Sequence, residues 1–265
     1  MNGLGWIFRG EDSLVYFLCN LGYDVWVINL RGTEYSRQHT SLSTSNIRYW
    51  YYSIHELGIY DKAIYIGYSM GTTSFYIYST VFPDEAEANL KGMVGLGPAI
   101  NFKGAKSLLQ ISAYVWPVLK PIINTLWHGE IIPGYTSVFE LFLKTSGGMY
   151  FMQTLINLIA GFDYDQMDAI SYPLLSKWFD TAAVNVWTHF LQIYRSRIFQ
   201  HYDYGFTRNM IIYGQLKPPP YNISKISIPV ALFVGKSDWL APVPIDENKN
   251  ISSTWHFDVG ITEQI

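Results

Sequence analysis

Four short runs of the chain are apolar and rich in β-branched or aromatic residues, each bounded by Gly, Asn, Lys or Pro: Tyr23–Asn29, Ala63–Tyr68, Gly92–Gly97 and Ile228–Val234. Such runs between turn formers read as strands buried on both faces. The neighbouring stretches carry helix signals. Ser13–Leu21 precedes the first run and stops at Gly22, and Thr72–Phe82 follows the second and ends at Pro83. Strands alternating with segments long enough for helical crossovers predict an α/β fold with a mostly parallel sheet.

From Phe102 to Tyr213 the pattern changes: no clear strand is legible, and Trp, Tyr, Phe and Leu recur at irregular helical spacing. Sheet character returns only at Ile228. The expected organisation is therefore a core of residues 1–101 and 214–265 interrupted by a helical insertion, 102–213. Two readings of the insertion stand side by side: a cap or lid over a site, or a helical layer packed as ordinary core. Its longest apolar stretch, Leu108–Trp127, is interrupted by Pro117, Lys120 and Pro121, which argues against a membrane span and for an interfacial or cap segment.

Composition narrows the class. With 265 residues, 49% hydrophobic and 17% aromatic, the chain can bury a large core. Eighteen Lys and Arg against 21 Asp and Glu leave a net charge of −3 without a basic block, so nucleic acid is not an expected partner. Cys19 is the only cysteine, which excludes an internal disulfide or a thiolate zinc site, and its apolar neighbours suggest a small buried hydrophobe. Neither a metal nor a cofactor is implied. Asn222-Ile223-Ser224 and Asn250-Ile251-Ser252 are glycosylation sequons, hinting at a secretory route, although Met1–Gly10 lacks the apolar core of a signal peptide.

The candidate chemistry centres on Gly67-Tyr68-Ser69-Met70-Gly71. A Gly-x-Ser-x-Gly string alone arises by chance in roughly one chain in ten of this length. Here it directly follows a strand and opens a helix, the setting in which small flanking residues permit a sharp turn that presents the serine hydroxyl. A serine at its ordinary pKa needs a base to take its proton and a carboxylate to orient that base. In folds that present serine this way the chain order is Ser, acid, His. Asp238 follows the last strand, and His256 is the only histidine beyond it. His39, His55, His128, His189 and His201 lack metal-ligand spacing and read as structural or surface residues, and Asp258 as a cap or turn residue.

The segments around these residues resemble the acid lipase family of α/β hydrolases, which includes lysosomal acid lipase, gastric lipase and insect digestive lipases. The resemblance spans nearly the whole chain. It rests on Gly22-Tyr23-Asp24-Val25-Trp26-Val27, Arg31-Gly32-Thr33 with Ser36-Arg37, Ser53-Ile54-His55-Glu56-Leu57-Gly58-Ile59-Tyr60-Asp61, and the elbow with Thr72-Thr73. Further along come Phe199-Gln200-His201-Tyr202-Asp203-Tyr204-Gly205, Pro219-Pro220-Tyr221-Asn222-Ile223, Lys236-Ser237-Asp238-Trp239-Leu240-Ala241 and His256-Phe257-Asp258. The resemblance implies Ser69 as nucleophile, Asp238 as orienting acid and His256 as general base. It further implies the Met70 and Leu4 amides as oxyanion donors, and neutral lipid esters met at a lipid–water interface as substrates. Secretion or lysosomal delivery is implied as well.

The chain departs from the family pattern in three places. Asn2-Gly3-Leu4 stands where the family has His-Gly-Leu, with no upstream strands before it; Tyr60-Asp61-Lys62 runs directly into Ala63 where the family has a crossover helix; and eighteen positions separate Asp238 from His256. A shortened form of a longer secreted lipase is the expectation. Three functions stay open: ester hydrolysis through an acyl-enzyme, lipid binding without turnover, and acyl transfer to an alcohol.

Overall fold

The computed structural model describes residues 3–7, 9–52, 63–106, 109–131, 141, 145–161, 181–235 and 237–242. They form two compact units: Met1–Tyr51, Val118–Asn157 and Asp163–Asn185 in one, and Tyr52–Pro117, Leu158–Phe162 and Val186–Ile265 in the other.

The second unit holds a three-stranded parallel sheet of β1 (Ala63–Tyr68), β2 (Leu90–Leu96) and β5 (Val230–Phe233), ordered β1-β2-β5. Three of the four predicted strands are thus present, within one or two residues of their expected ends. Tyr68 pairs with Leu96 and Leu96 with Phe233, so the three strands finish together at their C-terminal ends. Between β1 and β2 run α2 (Met70–Val81) and α3 (Pro83–Asn89), where Pro83 occupies the first helical position, needing no N–H partner. Residues Thr72 to Thr80 of α2 are all buried, and the hydroxyls of Thr72, Thr73, Ser74 and Thr80 donate to backbone carbonyls, which makes their burial tolerable. Phe75, Tyr76 and Tyr78 pack with Ala86, Leu90, Met93, Ile228, Val230 and Leu232 into the core that supports the sheet.

The expected insertion, residues 102–213, holds among its described residues the helices α4 (Leu109–Trp127), α5 (Ser146–Ala160), α6 (Val184–Ser196) and α7 (Phe206–Tyr213). It also contains a short antiparallel pair, β3 (Glu130–Ile131) with β4 (Ala182–Ala183), which the sequence pattern did not announce. Pro117 and Pro121 lie inside α4 without ending it. Ile111, Tyr114, Val115, Val118, Leu119, Ile122 and Leu126 recur at helical spacing along one face of α4 and are exposed. Among the described residues no helix is long and apolar enough to cross a membrane. Within the second unit, Trp116 Nε1 donates to Thr188 Oγ1 at 2.9 Å, holding the start of α4 against α6. After α6 the chain returns as an extended pair in which His201 N donates to Pro219 O and Tyr221 N to Phe199 O, both at 2.9 Å.

In the first unit, Tyr49 and Trp50 are fully buried. The Arg37 guanidinium forms a two-pronged ion pair with the buried Glu130 at 2.8 and 3.2 Å and lies 5.4 Å from the Trp50 ring centre. Arg31 donates to Tyr49 O at 2.7 Å and covers its ring. The Arg31-Gly32-Thr33 and Ser36-Arg37 stretches therefore anchor this unit.

Two expectations fail here. Tyr23–Asn29 is not a strand: Val25, Val27 and Asn29 alternate as half-buried with exposed Trp26 and Ile28, yet no ladder forms with any described residue. Alternation is local, whereas a ladder needs a partner backbone. Cys19 is exposed, not buried. It sits in α1 (Leu14–Asn20), where Ser13 caps the start and Gly22 (φ +86°) the end, but only Val15 and Leu18 turn partly inward. A continuous apolar run does not say which helix face is covered.

Candidate active site

β1 reaches its C-terminal end at Tyr68, and the chain then reverses through Ser69 into α2. Ser69 has φ 50° and ψ −110°, a conformation that costs a non-glycine residue about 1–3 kcal/mol and persists only where its surroundings enforce it. They do so here. A Cβ on Gly67 would stand 2.9 Å from both the Gly71 carbonyl carbon and the Thr72 nitrogen, so strand and helix backbones meet too closely for any other residue. Ser69 N donates to Leu96 O at 2.9 Å, pinning the elbow to the end of β2.

Two buried threonines complete the brace. Thr72 Oγ1 donates to Ser69 O at 2.6 Å and accepts from Ala99 N at 3.0 Å, while Thr73 Oγ1 donates to Ala99 O at 2.6 Å. The Ser69 side chain does not cap α2, and Ser69 itself is half-buried. Met70 opens the helix, so its N–H is one of the first-turn amides with no intrahelical acceptor, directed where negative charge is favoured.

Asp238 occupies the turn after β5. Its Oδ1 accepts from Leu240 N and Ala241 N, both at 2.9 Å, which fixes the carboxylate in the turn. Its Oδ2 lies 4.0 Å from where a Cβ on Gly97 would stand, and the Tyr68 ring edge lies 3.7 Å from the same point. Gly97 has φ +55° and donates to Phe233 O at 2.9 Å, linking the ends of β2 and β5. Burial and the negative charge on Asp238 both hold the Tyr68 hydroxyl above its ordinary pKa of 10.0.

Ser69, Met70 and Asp238 are thus brought to one end of the sheet. Strand spacing of about 4.8 Å puts β1 and β5 roughly 10 Å apart. His256, Asn250 and His55 lie outside the described residues. Leu4 belongs to the first unit, where it lines a small hollow of about 200 Å³ with Gly3, Ile7, Val27, Asn29 and Tyr35, and Gly3 N donates to Asn29 Oδ1 at 2.7 Å. Asn222 is exposed and caps a short 3₁₀ turn, its Oδ1 accepting from Ser224 Oγ at 2.6 Å and Ser224 N at 3.2 Å.

Three of the other described histidines carry structural contacts. His189 is fully buried, with Nε2 2.8 Å from Gln200 O, and His201 stacks on Tyr221 at 4.1 Å. His39 Nδ1 accepts from Ser41 N and Leu42 N at 3.1 Å. His128 is exposed at the end of α4 with φ +51°.

Comparison with known proteins agrees with this architecture. Residues 1–117 match the family model described as the alpha/beta hydrolase fold. The chain is 32% identical over 263 residues to Lipase 3 of Drosophila melanogaster, covering 90% of this chain and 66% of that protein. It is 27% identical over 256 residues to Lipase 1 of Drosophila melanogaster, covering 89% of this chain and 56% of that protein. It is 29% identical over 254 residues to human gastric triacylglycerol lipase, covering 87% of this chain and 62% of that protein. The chain spans between about half and two thirds of the length of these curated relatives. A serine elbow between parallel strand and helix, an aspartate turn two strands away, and these matches together give the chain an α/β-hydrolase fold similar in sequence to lysosomal acid, gastric and insect lipases.

Proposed function

We propose that the chain is a serine ester hydrolase acting on neutral lipid esters, triacylglycerol or sterol ester, in lipid breakdown. The observation that carries this reading is Ser69, held at φ 50° on the strand–helix junction with the Asp238 carboxylate at the same sheet end. Backbone strain of this kind at a serine serves presentation of the hydroxyl.

In the proposed mechanism His256 takes the proton of Ser69 Oγ as the oxygen attacks the ester carbonyl carbon, with Asp238 orienting the imidazole. The Met70 N–H and, as the resemblance implies, the Leu4 N–H hold the oxyanion. Collapse of the tetrahedral intermediate breaks the acyl–oxygen bond, and His256 returns the proton to the departing alcohol. Water, deprotonated by His256, then cleaves the acyl-enzyme to release the fatty acid and restore Ser69.

The insertion, residues 102–213, supplies the lipid-facing surface, and the exposed apolar face of α4 supports that assignment. Burial of an acyl chain contributes about 0.8 kcal/mol per methylene, which favours long-chain esters. Secretion or lysosomal delivery, with glycosylation at Asn222 and Asn250, accords with the named relatives, which include a gastric lipase and a putative lysosomal acid lipase.

Labelling with a fluorophosphonate probe, alongside ester turnover, tests the proposal. The unsubstituted chain is expected to label and turn over ester, and Ser69→Ala to abolish labelling and lower turnover on the order of 10⁶-fold. Ester binding with no Ser69-dependent labelling would instead identify a lipid-binding protein.

A further inference from the structure

The turn that carries Asp238 is held from outside the sheet by the last residues of α5. Trp239 N donates to Ala160 O at 2.8 Å, and Lys106 N donates to Trp239 O at 3.0 Å, so both backbone groups of the residue after Asp238 are engaged. Gly161 follows Ala160 with φ +125°, a region L-residues rarely adopt, and is buried. A Cβ there would overlap Ser237 O and stand 3.0 Å from Ser237 C and 3.3 Å from Trp239 Cδ1. The residues on both sides of Asp238 therefore press against one glycine.

We infer that Gly161 is a positioning residue: by letting the end of α5 close onto Ser237 and Trp239, it sets where the Asp238 carboxylate stands. The inference rests on reading Asp238 as the orienting acid. Its physical basis is that Asp238 Oδ1 is already fixed to the Leu240 and Ala241 amides, so the carboxylate moves with its turn rather than by side-chain rotation. Any side chain at 161 must push that turn away from α5 and carry Oδ2 with it. Lys106 secures the opposite side of Trp239 through its amide alone.

The test compares four full-length chains on a soluble short-chain p-nitrophenyl ester across pH, with thermal unfolding followed in parallel: unsubstituted, Asp238→Asn, Gly161→Ala and Lys106→Pro. Asp238→Asn is expected to lower kcat on the order of 10⁴-fold. It also moves the acidic limb of kcat/KM to lower pH, because an imidazolium without its carboxylate loses its proton more readily. Gly161→Ala is expected to lower kcat on the order of 10²-fold with KM little changed, and to move the acidic limb the same way. Lys106→Pro, which deletes one of the two backbone bonds described for Trp239, gives a smaller change in the same direction. It carries the test alone where Gly161→Ala does not accumulate as folded protein.

A merely structural glycine would lower the unfolding temperature and leave the pH limb in place, and that result overturns the inference. If Asp238→Asn leaves a Ser69-dependent activity unchanged, the acid assignment falls and the inference with it. Loss of the enzyme reading shows differently, as absence of Ser69-dependent labelling in the unsubstituted chain.

Discussion

At the scale of residues, the elbow depends on what is missing from Gly67. A Cβ there would strike the Tyr65 ring edge and, at 2.9 Å, backbone atoms of Gly71 and Thr72, which cannot swing aside as a side-chain end can. Gly67→Ala is therefore expected to destabilise the fold by about 1–3 kcal/mol, in the range of overpacked interiors. A urea unfolding series measures this, and an unchanged midpoint would show that the junction yields. Gly71 is less constrained, since its nearest neighbour would be the Tyr65 hydroxyl at 3.3 Å. Ser69, Gly67 and Asp238 were legible as a pattern because turn chemistry and chain order are local properties. The roles of Thr72 and Thr73 were not, because their partner Ala99 lies 26 or more positions away. Cys19 shows the converse: its apolar neighbours spoke of burial, and only the covering of the helix decides burial.

At the scale of elements, β1, β2 and β5 fall near their expected bounds because each is a continuous apolar run between turn formers, a signature legible locally even though β1 keeps Ile64 and Tyr68 exposed. Tyr23–Asn29 carries a similar signature without a ladder, since strand formation is completed by a neighbour. α4 displays a regular apolar face left exposed, seven residues on one side of a nineteen-residue helix. If this face meets lipid, Val118→Asp with Ile122→Asp is expected to weaken binding to phosphatidylcholine–triolein emulsion particles on the order of 10²-fold. Each buried apolar side chain of that size contributes about 1.5–3 kcal/mol. Turnover of a dissolved short-chain ester should stay within about twofold, because such a substrate needs no surface; equal loss on both substrates would refute the interfacial role.

At the scale of the whole molecule, burial of phenols predicts an alkaline limit to stability. Tyr76 and Tyr202 are buried, and desolvation lifts both hydroxyls from 10.0 to about 12, as it does for Tyr65. Their folded-state pKa lies above the unfolded value, so the contribution is fully present below pH 10.0 and is lost as pH rises toward about 12. Tyr76 and Tyr202 together give a slope of about 3 kcal/mol per pH unit in that window. Urea midpoints at rising pH check it. A midpoint that stays flat between pH 10 and 12 would contradict the expected burial effect.

The sequence by itself determined the α/β class, the serine turn between strand and helix, the place of Asp238 after the last strand, and the helices described within residues 102–213. Each of these follows from periodicity, turn residues or chain order, which act over a few neighbouring positions. Only the tertiary structure decided which apolar runs find a ladder, which helix faces stay uncovered, and that Ser69 and Asp238 share one sheet end with Tyr68 and Gly97 beside them. It alone revealed the closure of Gly161 on the acid turn, because that contact joins residues 76 positions apart through backbone geometry that no local pattern records. Contacts of that separation depend on where the whole chain packs, and packing is the physical term that a linear pattern does not contain.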